Sequence, residues 1–235
     1  MTKETREDEA IFMACLEIVK RLEVSLPEKV EAAKTSWKAK LPFLTASLRE
    51  CLLYRVAELG RSSCNAINAG QRVSAAVLIR ALLEGVALIV LLDQRIKEAV
   101  ELGKIEALNG LVKSGLVGCK NNMTPIEAPN VLTVLKHVTK KYEGFERLYL
   151  DLSEIAHPNW GGLLGAYGKL NEIERSYNLE KSKLPLPMLL LPLRAGLETF
   201  LYNYDSMVPY LHKLVDICDE ALEKRSSVNA EPLDA

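Results

Sequence analysis

RVSAAVLIRALLEGVALIVLLDQR, residues 72–95, is the longest apolar run in the chain and the one with charges set inside it. Between 73 and 92 nearly every side chain is apolar, so a helix here is hydrophobic all round and belongs at the centre of a helical domain. Arg80 and Glu84 interrupt the run four residues apart, which stacks them one turn above the other on a single face. The twenty residues of 73–92 are long enough to cross a bilayer. An Arg and a Glu near the middle, however, each cost about 2–3 kcal/mol on insertion scales, and no strong basic asymmetry flanks the run. The stretch therefore reads as a core helix, and no membrane association is expected. Arg preceding Glu is the weaker order for pairing along a helix, so partners for both charges are expected from other helices.

Composition supports a globular reading. At 235 residues and 49% hydrophobic content the chain is long enough for one sizeable core. Lys plus Arg (30) nearly balances Asp plus Glu (31), for a net charge of −1. That argues against a nucleic-acid-coating surface and leaves room for a local basic cleft. The five cysteines, Cys15, Cys51, Cys64, Cys119 and Cys218, are scattered and never form a CxxC pair, so they read as buried thiols in a reducing compartment, without disulfide or metal. The N-terminus MTKETREDEA carries both signs of charge and no secretory pattern. A cytoplasmic protein without cofactor is the expectation.

Outward from the central run, helical spacing recurs in both directions. In residues 7–24, Ile11, Cys15, Leu16, Val19 and Leu22 repeat at steps of three and four. Pro27 is expected to close this helix and open a second, with Val30, Ala33, Trp37 and Leu41 on one face. A long helix over 44–69 follows, its apolar side carried by Leu48, Cys51, Leu52, Arg55, Val56 and Leu59, with Gly70 at its C-cap. Residues 97–118 alternate charged and apolar and contain four glycines, predicting a shorter helix and then a loop. Helices are predicted from 130 and over 145–156. The glycines at 161, 162, 165 and 168 predict irregular chain, and the prolines of LPLPMLLLP introduce a last helix to about 224 with a kink at Pro209. No alternating run reads as a strand. The fold class is all-α, a multi-helix up-and-down bundle forming a single domain over 1–225. Its core spans 44–224, an N-terminal helical hairpin occupies 7–41, and 226–235 form a flexible tail.

A second polar line lies on the helix 145–156. At 100° per residue, Tyr149, Ser153 and His157 stand one turn above another beside the apolar face, while Arg147, Asp151 and Glu154 form a solvated line. Pro158 disfavours helix at His157, which places the imidazole at the helix's C-terminal end. Asn159, Trp160, Gly161 and Gly162 then make a tight turn. Trp160 could stack on a base, although tryptophans are highly buried on average and a lid over the core is the plainer expectation. His157 has no second ligand at metal spacing, and no phosphate-cradling glycine loop precedes a Lys-Ser or Lys-Thr pair. No metal site is expected.

The two polar lines together, Arg80-Ala-Leu-Leu-Glu84 and, some seventy residues on, Tyr149-x-x-x-Ser153-x-x-x-His157-Pro158, resemble a bacterial family of unknown function placed near the HEPN superfamily. The resemblance covers about 44–168. It implies an HEPN-like all-α bundle, commonly a homodimer, found among toxin, phage-defence and RNA-processing systems, some members being metal-independent ribonucleases. Active HEPN ribonucleases carry an Arg, a polar residue and then a His a few positions on. Here Arg147 is followed by Leu148 and lies far from His157, so Arg80 would have to supply the cation. On that reading His157 is the general acid or base, Arg80 steadies charge on phosphorus, Glu84 and Ser153 orient them, and Tyr149, Asn159 and Trp160 bind RNA. The alternative is a non-catalytic helical module with a protein partner, in which Arg80, Glu84, Ser153 and His157 form a structural network that fixes helix register.

Overall fold

The computed structural model describes residues 3–32 and 38–228. The architecture is all-α. Helix α1 is Lys3–Val24, α2 Lys40–Asn68, α3 Arg72–Leu102, α4 Ile105–Val117, α5 Val131–Thr139, α6 Phe145–Ala156 and the short α7 Leu164–Tyr167. An antiparallel ribbon of β1, Gly168–Asn171, and β2, Ser176–Leu179, follows. Helices α8, Pro187–Ser206, and α9, Val208–Val228, complete the chain.

The residues gather into two compact units. The first comprises Met1–Leu26, Leu53–Leu88 and Val131–Leu201; the second comprises Pro27–Leu52, Ile89–Asn130 and Tyr202–Ala235. Neither is one continuous segment, and α2, α3 and α8 each run from one into the other.

In the first unit the N-terminal half of α3 is the inner helix: Ala75, Ala76, Ile79, Leu82, Leu83, Val86 and Ala87 are all fully buried. Around it lie Cys15, Val19 and Leu22 of α1, Leu53 and Val56 of α2, Leu152 and Ile155 of α6, and Leu193, Leu197 and Phe200 of α8. Arg61 of α2 grips Glu23 of α1 through Nε at 2.9 Å and Nη2 at 2.5 Å, a bidentate fit that orients one helix on the other. By length and composition α3 could cross a membrane, yet 67% of its most apolar stretch is buried within the protein. In the second unit Ile89, Leu92, Ile96, Leu108, Val112 and Leu214 are buried.

Several boundaries differ from expectation, each for an identifiable reason. The central helix continues past Arg95 to Leu102, where Gly103 takes a left-handed φ of 67° and stops it; the charges after 95 line the helix and do not break it. Gly110 and Gly115 are absorbed into α4. On α2, Cys51 and Arg55 face solvent, and the inner side is carried by Leu48, Leu52, Leu53 and Val56. Pro27 does not open a helix, since residues 26–31 are irregular. Of the remaining positions expected in that second arm of the N-terminal hairpin, Ala33 and Trp37 lie outside the described residues and Leu41 already belongs to α2. The expected kink near Pro209 is a break at Met207 between α8 and α9. Residues 226–228, expected to open the flexible tail, are the last of α9; the rest of the expected tail lies outside the described residues. The ribbon β1–β2 replaces chain expected to be irregular.

Candidate functional site

The polar residues of α3 meet those of α6 within the first unit. A spacing of four residues, close to one turn, puts Arg80 and Glu84 on one face of α3, and the same spacing on α6 does so for Tyr149 and Ser153. Arg80 donates from Nε to Ser153 Oγ at 2.8 Å and from Nη2 to the Tyr149 hydroxyl at 2.7 Å. The tyrosine in turn donates to Glu84 Oε1 at 3.1 Å. Arg80 Nη2 lies 3.4 Å from the same carboxylate oxygen, and its guanidinium stands 5.0 Å from the Tyr149 ring centroid. Ser153 Oγ, having accepted from Arg80, donates back to the Tyr149 carbonyl at 2.8 Å. The expectation that other helices supply partners for Arg80 thus describes what α6 does.

The cluster is half-sheltered. Tyr149 is only 4% exposed, while the side chains of Arg80 and Glu84 keep 28% and 25% of their surface in solvent. Burial, reinforced by the Glu84 carboxylate, pushes the Tyr149 hydroxyl above its ordinary pKa against the opposing pull of Arg80. Tyr149 therefore remains a neutral bridge between a cation and an anion.

His157 stands apart from this network. It caps the C-terminus of α6 in extended backbone (φ −84°, ψ 146°), its amide donating to the Ser153 carbonyl at 3.1 Å. It is exposed, and among the described residues its imidazole has no hydrogen-bond partner. Arg80 Nη1 also has none among the described residues. The turn after His157 is closed by backbone: the His157 carbonyl accepts from the Asn159 amide at 2.8 Å, and Asn159 Oδ1 accepts from the Gly162 amide at 3.2 Å. A Cβ at Gly162 would lie 2.0 Å from the His157 carbonyl oxygen, so the chain folds back on the helix end only because that position is glycine. Asn159 therefore acts first as a turn residue. Trp160 is 74% exposed, so it is not a lid over the core. One edge of the ring lies beside Gly165, where a Cβ would approach it at 3.3 Å.

Two further polar clusters, both in the second unit, escape the sequence reading. Buried Arg49 donates to the Tyr204 carbonyl through Nη2 at 3.1 Å, packs 3.4 Å from the Tyr204 ring centroid and pairs with Glu50, which accepts from the Tyr204 hydroxyl at 2.7 Å. Fully buried Asp93 accepts from Lys97 at 2.8 Å and from Ser206 at 2.7 Å. Their partners lie 154 and 113 positions away, beyond the reach of helical spacing. The pair Asp93 and Lys97 was visible at i,i+4, but it straddled the expected end of the central helix.

Among the described residues no group of three or more His, Cys, Asp or Glu side chains gathers to hold a metal. No protein-family model, curated protein or solved structure matches the chain.

Proposed function

We propose that the protein is an HEPN-like helical RNA-binding protein that cleaves RNA without a metal, of the toxin or defence type, with its site at the junction of α3 and α6. The single observation that supports this reading is the convergence of four motif residues, Arg80, Glu84, Tyr149 and Ser153, with the exposed His157, whose imidazole has no partner among the described residues, closing the same helix α6 one turn past Ser153. His157 lies one helical turn, about 6 Å along the axis, beyond Ser153. Arg80 is fixed through Nε and Nη2, and Nη1 is left over to donate to a phosphate oxygen. Glu84 and Ser153 hold that guanidinium in orientation. His157, open to solvent, serves as general base for the ribose 2′-hydroxyl or as general acid for the leaving oxygen. Arg80 then offsets charge developing on phosphorus.

The test is cleavage of a labelled mixed RNA pool in EDTA by the wild type and by His157→Ala. Cutting by the wild type and loss of at least about a hundredfold in the variant is the expected result. Equal cutting by both removes His157 from the chemistry. No cutting by the wild type sinks the ribonuclease reading.

A second reading is favoured by one specific feature: Glu84 neutralises Arg80 inside the cluster, with Tyr149 bridging the two. On that reading the cluster fixes the register of α3 against α6 in a non-catalytic module that recruits a protein partner. Failure of the wild type to cleave RNA, with the stability loss in Arg80→Ala that both readings expect, would favour it.

A further inference from the structure

One cation of the first unit is left unmatched. Arg72, the first residue of α3, has neither a hydrogen bond nor an ion pair among the described residues, and yet its Nη1 is shut away from solvent. A buried donor without an acceptor is costly, the more so on a charged group, and native structures hold few of them. The guanidinium lines a cavity of about 280 Å³ that lies among α1, the end of α2 and the start of α8. The cavity walls are apolar: Phe12 of α1 and Leu186 just before α8 are half-buried, and Ile67 of α2 and Leu190 of α8 are buried. Asp8 and Glu9 of α1 line the same cavity, Asp8 half-buried and one helical turn from Phe12, Glu9 exposed. Neither carboxylate pairs with Arg72 or with any other described residue. Opposite charges thus face one apolar space without meeting each other.

We propose that this cavity binds one free apolar α-amino acid of about leucine's size, with its carboxylate on Arg72, its ammonium on Asp8 and its side chain among Phe12, Ile67, Leu186 and Leu190. Charge selects the class. The unmatched Nη1 calls for an acceptor, and a guanidinium takes a carboxylate through two parallel bonds. A fatty acid or a phosphate would add negative charge beside the two carboxylates already there, whereas a zwitterion adds none. A plain amine would answer Asp8 and leave Nη1 without a partner. Size selects within the class. The volume falls just under the range of about 300–1,000 Å³ typical of drug-sized ligands, which suits a molecule carrying both charges on one carbon. A peptide carries its terminal charges at opposite ends and does not fit that space. None of these residues belongs to the Arg80 cluster or to His157, and Arg72 precedes Arg80 on α3 by eight residues, about 12 Å along the axis. The inference therefore stands independently of the RNA reading.

The experiment is isothermal titration calorimetry of the full chain with L-leucine, L-isoleucine, L-methionine and L-phenylalanine. Glycine, 4-methylpentanoate (leucine without its ammonium) and 3-methylbutylamine (leucine without its carboxylate) are titrated beside them. At least one of the four apolar amino acids is expected to bind saturably with a Kd below about 1 mM, and glycine and both truncated analogues at least about tenfold more weakly than leucine. Arg72→Met and Asp8→Asn are each expected to weaken binding by at least about tenfold. Arg72→Met removes an unmatched donor and keeps an unbranched stem, so its melting temperature without amino acid is expected to equal or exceed that of the wild type, which separates loss of binding from loss of fold. Asp8→Asn, isosteric and only half-buried, carries the test should Arg72→Met melt early. Absence of saturable binding by all four amino acids overturns the proposal. So does 4-methylpentanoate binding as tightly as leucine, because the ammonium would then have no role. Wild-type affinity in Asp8→Asn, or in a folded Arg72→Met, overturns it as well, because the amino acid would then sit elsewhere.

Discussion

Replacing Arg80 with alanine removes two donors and one counter-charge at once. Ser153 Oγ and the Tyr149 hydroxyl each lose a donor, and Glu84 loses its cation. Hydrogen bonds to charged groups are worth about 1.5–3 kcal/mol each, and about a quarter of both charged side chains remains solvated, which screens part of that. Arg80→Ala is therefore expected to cost about 2–3 kcal/mol, and Ser153→Ala about 1 kcal/mol. The double variant should cost less than their sum, because both changes break the same bond. Denaturant midpoints measure all three, and strict additivity would show that the two residues do not interact. His157→Ala removes an exposed imidazole with no partner among the described residues, so its midpoint is expected to stay within about 0.5 kcal/mol of wild type. That keeps it a clean probe of RNA cleavage. The Arg80 cluster was legible in the sequence because charge inside an apolar run must find partners, and Tyr149 and Ser153 recur at one-turn spacing on a helix whose face could be drawn. His157 was legible as the end of that line but not as a residue outside the network, since spacing along α6 says nothing about where a side chain beyond its last turn turns.

At the level of elements, glycine separates two kinds of helix. Gly196 lies in the buried face of α8, where a Cβ would stand 2.8 Å from Leu83 Cδ2 and 3.0 Å from Leu82 Cδ2. Gly110 lies in α4 with nothing within 4 Å of its would-be Cβ. Alanine gains up to about 1 kcal/mol over glycine in a helix interior, while forcing a methyl into a filled core costs about 1–3 kcal/mol. Gly110→Ala is thus expected to raise the melting temperature and Gly196→Ala to lower it. Two shifts of the same sign would mean that α8 does not approach α3 as closely as described. Helix α6 was readable almost to the residue and α5 at its start, because their apolar positions repeat at helical spacing and left-handed Gly144 (φ 81°) directly precedes α6; the end of α5 at Thr139 was not legible. The ribbon was not. Each strand is four residues long with no more than two large apolar positions, and its tight turn puts Arg175 at φ 50° without the Asn-Gly signature that announces a hairpin.

Across the whole molecule the thiols report how far the fold protects its interior. Cys51 is exposed on α2, and Cys119 is half-buried with its thiol drawn below the ordinary value by the Thr124 hydroxyl and amide. Both should react with a disulfide reagent in the native protein. Cys15, Cys64 and Cys218 are buried; burial lifts Cys15, with Cys64 beside it, to about 12, and lifts Cys64 to about 11. Because their folded values lie above the ordinary 9.0, the folded state holds these protons more tightly. Their contribution to stability is intact below pH 9 and is lost as the pH climbs through 11 and 12. Denaturant midpoints should accordingly hold steady up to about pH 9 and then fall, and a midpoint that rises on the alkaline side would contradict the burial of Cys15 and Cys64. The reading of all five cysteines as buried thiols fails at Cys51, because thiol chemistry alone does not say which face of a helix is inner, and at Cys119, which is only half-buried. Cys15 and Cys64 lie in the first unit and Cys218 in the second. Each unit contains part of α2, α3 and α8, and fraying a helix at its middle exposes backbone groups on both sides of the break. Stopped labelling near pH 8 through a denaturant series should therefore release all three buried thiols in one transition. Release of Cys218 at a lower concentration than Cys15 and Cys64 would show that the second unit opens alone, and that the shared helices do not bind the two into one cooperative fold.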